Sequence, residues 1–262
     1  KRLTALPKNT KILNIVPLPP DIPRGGLIME IEHGECIVTL SGANKDYPPT
    51  DEEGFLEFTR GFISPAIYDI IREAEPTSKI YGYQRTENRW RHYERFTRWP
   101  EGFMVSGDAA CAFNPVYGQG MTTGGLEAMT LGDVLTEYTG KDSTGMAKTF
   151  QMRLAKAVET PWLMATGEDL RYPGTEGGKT KWQDRLVQKY IEKFVNAMPM
   201  YPEISDHFVQ VMNLLQPPTS LFQPAILLKV VSNMLSRKKT VAQEPLDVPI
   251  SEVHSKTPTP LA

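Results

Sequence analysis

One segment constrains this chain more than any other, residues 102–135, with the sequence GFMVSGDAACAFNPVYGQGMTTGGLEAMTLGDVL. It opens with a short apolar run that predicts a β-strand, and the run ends at Gly107-Asp108. A loop of small residues follows, and Gly118-Gln119-Gly120 then opens a helix predicted to end at about Tyr138. The pattern therefore predicts a strand, a loop and a helix.

The residue types in this segment suit a ligand that carries hydroxyl groups and an electron-rich ring. The Asp108 carboxylate can accept hydrogen bonds from hydroxyls. The first turn of a helix presents unpaired backbone N–H groups and partial positive charge, which attract an anion or an electron-rich carbonyl. Glycines there let a ligand approach the backbone closely. These features indicate a ligand-binding unit but do not choose the ligand.

The same residues resemble the second flavin-binding motif of the group A FAD-dependent monooxygenases, the p-hydroxybenzoate hydroxylase family. That motif has an apolar strand, Gly-Asp-Ala-Ala, a loop, Pro, and Gly-x-Gly at the start of a helix. Here it reads Gly107-Asp108-Ala109-Ala110, Pro115 and Gly118-Gln119-Gly120. Residues 88–91 and 167–172 resemble a bacterial subgroup of the family, so the resemblance covers roughly residues 11–239.

The resemblance implies which residues hold the cofactor. Asp108 would bind the ribityl or ribose hydroxyls of FAD, and Pro115 would lie beside the reactive edge of the isoalloxazine. The backbone of residues 118–121 would face the pyrimidine ring and stabilise negative charge there. The expected cofactor-binding residues are Gly107, Asp108, Ala109, Pro115, Gly118, Gln119, Gly120, Met121 and Thr122.

The activity that the resemblance implies is monooxygenation. NAD(P)H would reduce the flavin, oxygen would add at C4a, and the hydroperoxide would transfer one oxygen atom to a small organic substrate of unknown identity. The cofactor supplies the reactivity while the protein positions it and excludes water. No residue stands out as a catalytic acid or base. Two alternatives stay open, another flavin-dependent oxidoreductase of halogenase or reductase type, and a non-enzymatic remnant.

Two departures from the family pattern bear on the chain by itself. The sequence contains neither a Gly-x-Gly-x-x-Gly motif for the pyrophosphate nor the family's middle Asp-Gly motif. We expect both to lie upstream of Lys1, so that the chain alone binds FAD poorly. Cys111 stands where many members have His, and a small buried thiol is favoured over a nucleophile there.

Composition argues against several other classes of protein. The formal net charge of -2 provides no general attraction to nucleic acid. The only cysteines are Cys36 and Cys111, which disfavours a disulfide framework and favours a reducing, cytoplasmic compartment. The scattered histidines have no metal-like companions. Residues 85–98 interleave arginines with aromatics, but Glu87 and Glu94 dilute the charge, so a sheet edge is favoured over binding of single strands.

The chain is predicted to be an α/β (α+β) protein, with a partial Rossmann-like FAD-binding domain, a mixed-sheet substrate domain and C-terminal helices. Residues 1–101 form the substrate-side sheet with two helices, residues 102–139 the flavin motif, and residues 140–239 the helical region. Residues 240–262 are Pro-rich, polar and predicted to be disordered.

Several local elements are predicted within these regions. Runs at residues 11–17, 27–32 and 35–40 predict one antiparallel sheet, with a hairpin turn at His33-Gly34. Thr50, with Glu53 three residues later, predicts a capped helix start. Further helices are expected at residues 65–75, 149–166, 182–198 and 203–215.

The apolar stretch at residues 221–235 is interrupted by polar residues and is too short for a bilayer span of about 20 residues. A helix packed on the domain is the favoured interpretation. A peripheral membrane contact, with Arg237, Lys238 and Lys239 at its edge, is the alternative. The sequence does not determine the oligomeric state or the choice between NADH and NADPH.

Overall fold

A computed structural model describes residues 10–236 together with Leu6. These residues form an α+β fold that divides into two compact units. Unit 1 contains the described residues up to Gln84 and Tyr172–Gly174, and unit 2 contains Arg85–Arg171 and residues 175–236. Residues 102–139, the expected flavin motif, and the C-terminal helices therefore share one unit with residues 85–101. The predicted disordered tail, residues 240–262, lies outside the described residues.

Unit 1 is built on a three-stranded antiparallel sheet in the order β1-β2-β3. Its strands are β1 (Ile12–Ile15), β2 (Arg24–Glu30) and β3 (Cys36–Gly42). The turn between β2 and β3 has positive φ angles at His33 (62°) and Gly34 (72°), the left-handed region that a tight turn needs. The predicted hairpin and its antiparallel sheet are confirmed.

Two short helices, α1 (Glu52–Phe58) and α2 (Ala66–Ile71), cover this sheet. Its core contains Ile28, Phe58, Phe62 and Ile67. Apolar burial at this small sheet is the main favourable contribution to its stability.

Within unit 1, Arg24 of β2 contacts both Asp46 and the Phe58 ring of α1. The guanidinium of Arg24 donates from Nε and Nη2 to the Asp46 carboxylate, at 2.6 and 3.0 Å. Its Cζ lies 4.1 Å from the centroid of the Phe58 ring. A two-point carboxylate contact combined with stacking uses the planar geometry of arginine, which lysine lacks.

Unit 2 consists mainly of helices. They are α3 (Gly120–Tyr138), α4 (Met146–Asp169), α5 (Trp182–Ala197), α6 (Pro202–Met212) and α7 (Pro224–Leu235). The predicted helices at residues 119–138, 149–166, 182–198 and 203–215 are confirmed. The stretch at residues 221–235 forms α7, which is packed on the unit. Among the described residues, no helix combines the length and apolar character that crossing a bilayer requires.

Three local expectations were wrong. Asp51, not Thr50, caps α1, because its carboxylate accepts the Gly54 N–H at 2.7 Å. The expected mixed sheet is not found, since β4 (Arg89–Trp90), which lies in the expected sheet edge at residues 85–98, pairs antiparallel with β5 (Cys111–Ala112). The described sheets are therefore antiparallel and not mixed.

The third error is the strand expected at residues 102–106, which has no strand assignment. A strand is defined by hydrogen bonds to a neighbour. Here the Val105 carbonyl instead accepts the side-chain Nε2–H of the buried Gln151, at 2.5 Å. The segment is held by a side chain of α4 in place of a neighbouring strand.

We predict that Ile28→Ala lowers the free energy of unfolding of the full-length protein by about 2–5 kcal/mol, because it leaves a cavity in a closed core. Ile28 is 0% exposed and Ile37, one pair further along the hairpin, is 45% exposed. Ile37→Ala is the matched control and should cost less than about 1 kcal/mol. Urea denaturation followed by circular dichroism measures both, and equal losses would contradict the burial assigned to β2.

Candidate functional site

The predicted cofactor-binding residues all lie in unit 2, on two short turns and the start of α3. Gly107–Ala109 and Pro115–Tyr117 each form one turn of 3₁₀ helix, and the second turn leads directly into α3. The side chain of Gln119 is buried and Gly107 is half-buried. The remaining residues of the set are exposed, namely Asp108, Ala109, Pro115, Gly118, Gly120, Met121 and Thr122.

The first turn is fastened to α3 by a buried carboxyl group. Glu127 is 1% exposed, and its Oε2 accepts the Ser106 hydroxyl at 2.8 Å and the Gly107 N–H at 2.5 Å. Gly107 has a φ of 64°, which only glycine adopts without strain. The next residue, Asp108, is thereby held at the surface. Within residues 10–236, its carboxylate forms no hydrogen bond or ion pair.

An arginine from β4 holds the other side of this turn. The Arg91 backbone N–H donates to the carbonyl of Ala110 at 3.0 Å. Its guanidinium Nη1 donates to the carbonyls of Ala109 and Asp108, at 2.8 and 3.4 Å. These bonds bring positive charge to the backbone of the Gly-Asp turn. A ligand carrying negative charge there would be stabilised by it.

The second turn is closed by its own backbone and by Asn114. The Asn114 side-chain oxygen accepts the Val116 N–H at 3.2 Å, and the Gly118 N–H donates to the Pro115 carbonyl at 3.0 Å. The first helical hydrogen bond of α3 runs from Thr123 N–H to the Gln119 carbonyl, at 2.9 Å. The N–H groups of residues 120–122 come before it, so they have no acceptor within the helix. They form an exposed, partly positive end.

A polar network fixes the second turn from two distant parts of the chain. The Tyr117 hydroxyl donates to Asp169 Oδ1 and the Asn88 side-chain amide to Asp169 Oδ2, both at 2.5 Å. The Asn88 oxygen accepts the Asn114 N–H at 2.7 Å. Burial raises the pKa of Asp169, and the hydrogen bonds from Tyr117 and Asn88 offset part of that rise. Residues from before the motif and from the end of α4 thus converge on the Asn-Pro loop.

The start of α3 is anchored to the end of α6. The buried Gln119 side chain donates from Nε2 to the Met212 carbonyl at 3.0 Å. One turn later, the buried Thr123 hydroxyl has no hydrogen-bond partner among the residues the structure describes. Gln119 is 3% exposed and therefore holds the start of α3 from inside the unit.

Cys111 is buried in β5, and burial raises the pKa of its thiol to about 12, with the charges of Glu127, Asp108 and Glu94 adding to the rise. A thiol with such a pKa is neutral near pH 7 and reacts slowly. This environment is that of a packing residue. In the described part of the chain, no three His, Cys, Asp or Glu side chains are arranged to hold a metal ion.

Three of the residues that shape the site were not in the predicted set, Asn88, Glu127 and Asp169. Glu127 had a usable signal, because it is the only charged residue between Asp108 and Asp133. A lone carboxyl group in such a run is expected to be buried with partners. Nothing local in the sequence links Asn88 or Asp169 to Tyr117.

The described residues define an α+β protein with a rigidly held Gly-Asp turn and an open helix start on its surface. No protein-family model matches the sequence. The chain is similar to Protein Rv3254 of Mycobacterium tuberculosis, with 27% identity over 187 residues. That match takes in 70% of this chain and 39% of the relative, so the chain spans about two fifths of the relative's length.

We predict that Asp169→Ala lowers the free energy of unfolding by about 1–3 kcal/mol for each partner it leaves unpaired, Tyr117 and Asn88. Glu168→Ala is the matched control. It removes the neighbouring carboxylate and an ion pair with Arg171 that is partly open to solvent, at 2.9 Å. Such a pair contributes about 0–1 kcal/mol. Thermal unfolding would contradict the network if the two variants lost the same stability.

We also predict a pH effect from the raised pKa of Asp169. The folded protein holds this proton more tightly than the unfolded chain does. The group's contribution to the free energy of unfolding is therefore largest below the ordinary carboxyl pKa and falls as pH rises through the raised pKa. Asp169→Asn does not titrate, so its stability relative to the wild type should increase across this range. Urea titrations at successive pH values measure the difference, and a constant difference would contradict the assignment.

Proposed function

We propose that the protein to which this chain belongs is an FAD-dependent monooxygenase that uses NAD(P)H and oxygen to insert one oxygen atom into a small organic substrate. One observation carries the proposal. Glu127 of α3 binds the Gly-Asp turn, so the exposed Asp108 carboxylate is held in a fixed position relative to the open start of α3. Together the carboxylate and the helix start provide a hydrogen-bond acceptor for hydroxyls and a partial positive charge for a ring carbonyl. A flavin nucleotide requires both.

The residues present fit this cofactor in chemical type. Asp108 is exposed and has no partner among the residues that the structure describes, so both of its oxygens are open to ligand hydroxyls. A Cβ added at Gly118 or Gly120 would meet no heavy atom within 4 Å, so the backbone there is open to a flat ring. The similarity to the flavin motif of group A monooxygenases adds a second line of support.

When bound, the flavin supplies the redox chemistry. The chain's own residues have other tasks. Asp108 orients the hydroxyls of the cofactor, and the N–H groups at the start of α3 stabilise negative charge on the ring. The Asn88–Asp169–Tyr117 network keeps Pro115 in place, because every polar group in it is paired.

We propose further that the ADP end of FAD is held by residues outside this chain. The described residues contain no Gly-x-Gly-x-x-Gly pattern for the pyrophosphate. Protein Rv3254 is longer than the matched region, since the match covers 39% of it. A whole protein of similar length has room for a Rossmann-like FAD-binding domain. Its cytoplasmic location is part of the same proposal.

We predict that the full-length protein purifies with flavin absorbance bands that survive gel filtration. Asp108→Ala should weaken FAD binding about 10- to 100-fold, since it removes hydrogen bonds to a charged acceptor worth roughly 1.5–3 kcal/mol. Asp133→Ala is the matched control, because Asp133 is an exposed aspartate further along α3. Titration of the apoprotein with FAD, followed by flavin fluorescence, measures both affinities.

The same preparation distinguishes the alternatives. Bleaching of the flavin by NADH or NADPH under nitrogen, followed by oxygen uptake that a substrate stimulates, supports a monooxygenase. Bleaching with transfer of hydride to a substrate, and no oxygen uptake, would indicate a flavin-dependent reductase. A folded protein that takes up no FAD would rule out the flavoenzyme and leave a non-enzymatic descendant.

A further inference from the structure

Unit 2 carries an apolar and cationic surface that the candidate flavin site does not use. We call it the α5–α7 face and define it by Trp182, Leu186, Lys189 and Lys193 of α5 and by Leu228, Val231, Met234 and Leu235 of α7. The four α5 residues are spaced four, three and four apart, so they form one stripe along the helix. Met234 lines a shallow groove together with Lys189 and Lys193, which joins the two helices in one surface.

Helix α7 is apolar on two sides, and its own unit covers only one of them. Ile226 and Val230 are buried in a core with Phe194 of α5. On the other side, Leu228 is 71% exposed, Val231 47% and Leu235 78%. Packing on unit 2 therefore accounts for the buried apolar side of α7 and leaves the exposed apolar side without a contact in that unit. Exposed large apolar side chains at helical spacing indicate a contact surface.

The charges beside this apolar surface are positive on balance, because Lys189 and Lys193 line the groove together with one acidic residue, Glu192. Within residues 10–236, Lys189 forms no ion pair, and the recorded partner of Lys193 is its neighbour Glu192, at 2.9 Å. In the sequence, Ser236 follows α7, and Arg237, Lys238 and Lys239 come next. Trp182 is 70% exposed, and tryptophan is enriched where apolar and aqueous regions meet. Apolar side chains beside lysines and an exposed tryptophan are the combination that binds an anionic lipid surface.

Charge also argues against a second copy of this chain as the occupant. In a two-fold symmetric contact, the same patch meets itself. The groove of each copy holds two lysines and one glutamate, so two patches of like net charge would meet, which is unfavourable. An anionic bilayer has no such conflict, because lipid phosphates pair with the lysines while Leu228, Val231 and Leu235 enter the acyl boundary.

We propose that the α5–α7 face binds the surface of a bilayer that contains anionic lipids, with α5 and α7 lying in the plane of the interface. The contact does not cross the bilayer and is independent of flavin binding. It would hold the protein where apolar organic compounds accumulate.

The test is sedimentation of the full-length protein with phosphatidylcholine vesicles that do or do not contain phosphatidylglycerol. We expect binding to the anionic vesicles that weakens as salt rises. Lys189→Gln with Lys193→Gln should weaken it about 25-fold, or roughly fivefold for each lysine at the surface. The control is Lys148→Gln with Lys156→Gln, two exposed lysines of α4 that should leave binding unchanged.

A second readout reports the apolar part of the contact. Trp182 fluorescence should shift to the blue on addition of anionic vesicles, and Trp182→Phe should remove that shift without abolishing sedimentation. Leu235→Ser should weaken binding and leave the circular dichroism spectrum unchanged, because Leu235 is 78% exposed.

Three results would overturn the proposal. The first is no binding to anionic vesicles, or binding that the Lys189 and Lys193 substitutions leave unchanged. The second is a dimer in gel filtration that Leu235→Ser dissociates, which would assign the face to a second copy. The third is acrylamide quenching of the full-length protein's fluorescence that Trp182→Phe leaves unchanged, which would mean that another part of the protein covers the face.

Discussion

A carboxyl group that is removed from water needs hydrogen-bond partners, since burying one without them costs roughly several kcal/mol. In unit 2 this constraint falls on Glu127, which is 1% exposed and accepts from the Ser106 hydroxyl and the Gly107 N–H. The requirement of the carboxyl group determines the path of the backbone at Gly107. That path places Asp108 at the surface. The acceptor of the candidate site thus depends on Glu127, which lies further along α3.

The second turn of the site follows the same principle with different residues. Asp169 pairs with Tyr117 and Asn88, and Asn88 in turn pairs with the backbone of Asn114. Asn88 and Asp169 come from segments outside the turn, so other parts of unit 2 position the loop. A loop held in this way loses little further conformational entropy when a ligand binds, which is the benefit of preorganisation.

The two proposals concern different surfaces of one unit. The proposed flavin site is polar, consists of backbone N–H groups and one carboxylate, and is held by paired contacts within unit 2. The α5–α7 face is apolar and cationic and is argued from side chains that the unit leaves exposed. Substitutions at Asp108 and at Lys189 should therefore act independently, because they share no contact in the described residues.

The sequence by itself determined the elements with strong local signals. The hairpin follows from its turn residues, His33 and Gly34, and helix α3 follows from the periodicity of its apolar residues. In both segments the short spacing between apolar residues leaves few other structures open. It also placed the Gly-Asp turn and the start of α3 in one segment. The strand expected at residues 102–106 failed because strand formation depends on a neighbouring strand, which local sequence does not specify.

Only the tertiary structure decided which distant residues hold the site. Asn88, Glu127 and Asp169 act through hydrogen bonds across 20 to 81 residues of sequence, and no periodic pattern encodes such pairs. No local pattern encodes burial either. Cys111 is buried and its thiol is neutral, whereas Asp108, three positions earlier, is exposed. Sequence spacing sets which residues are neighbours along an element. Solvent exposure and pairing depend on how the elements pack.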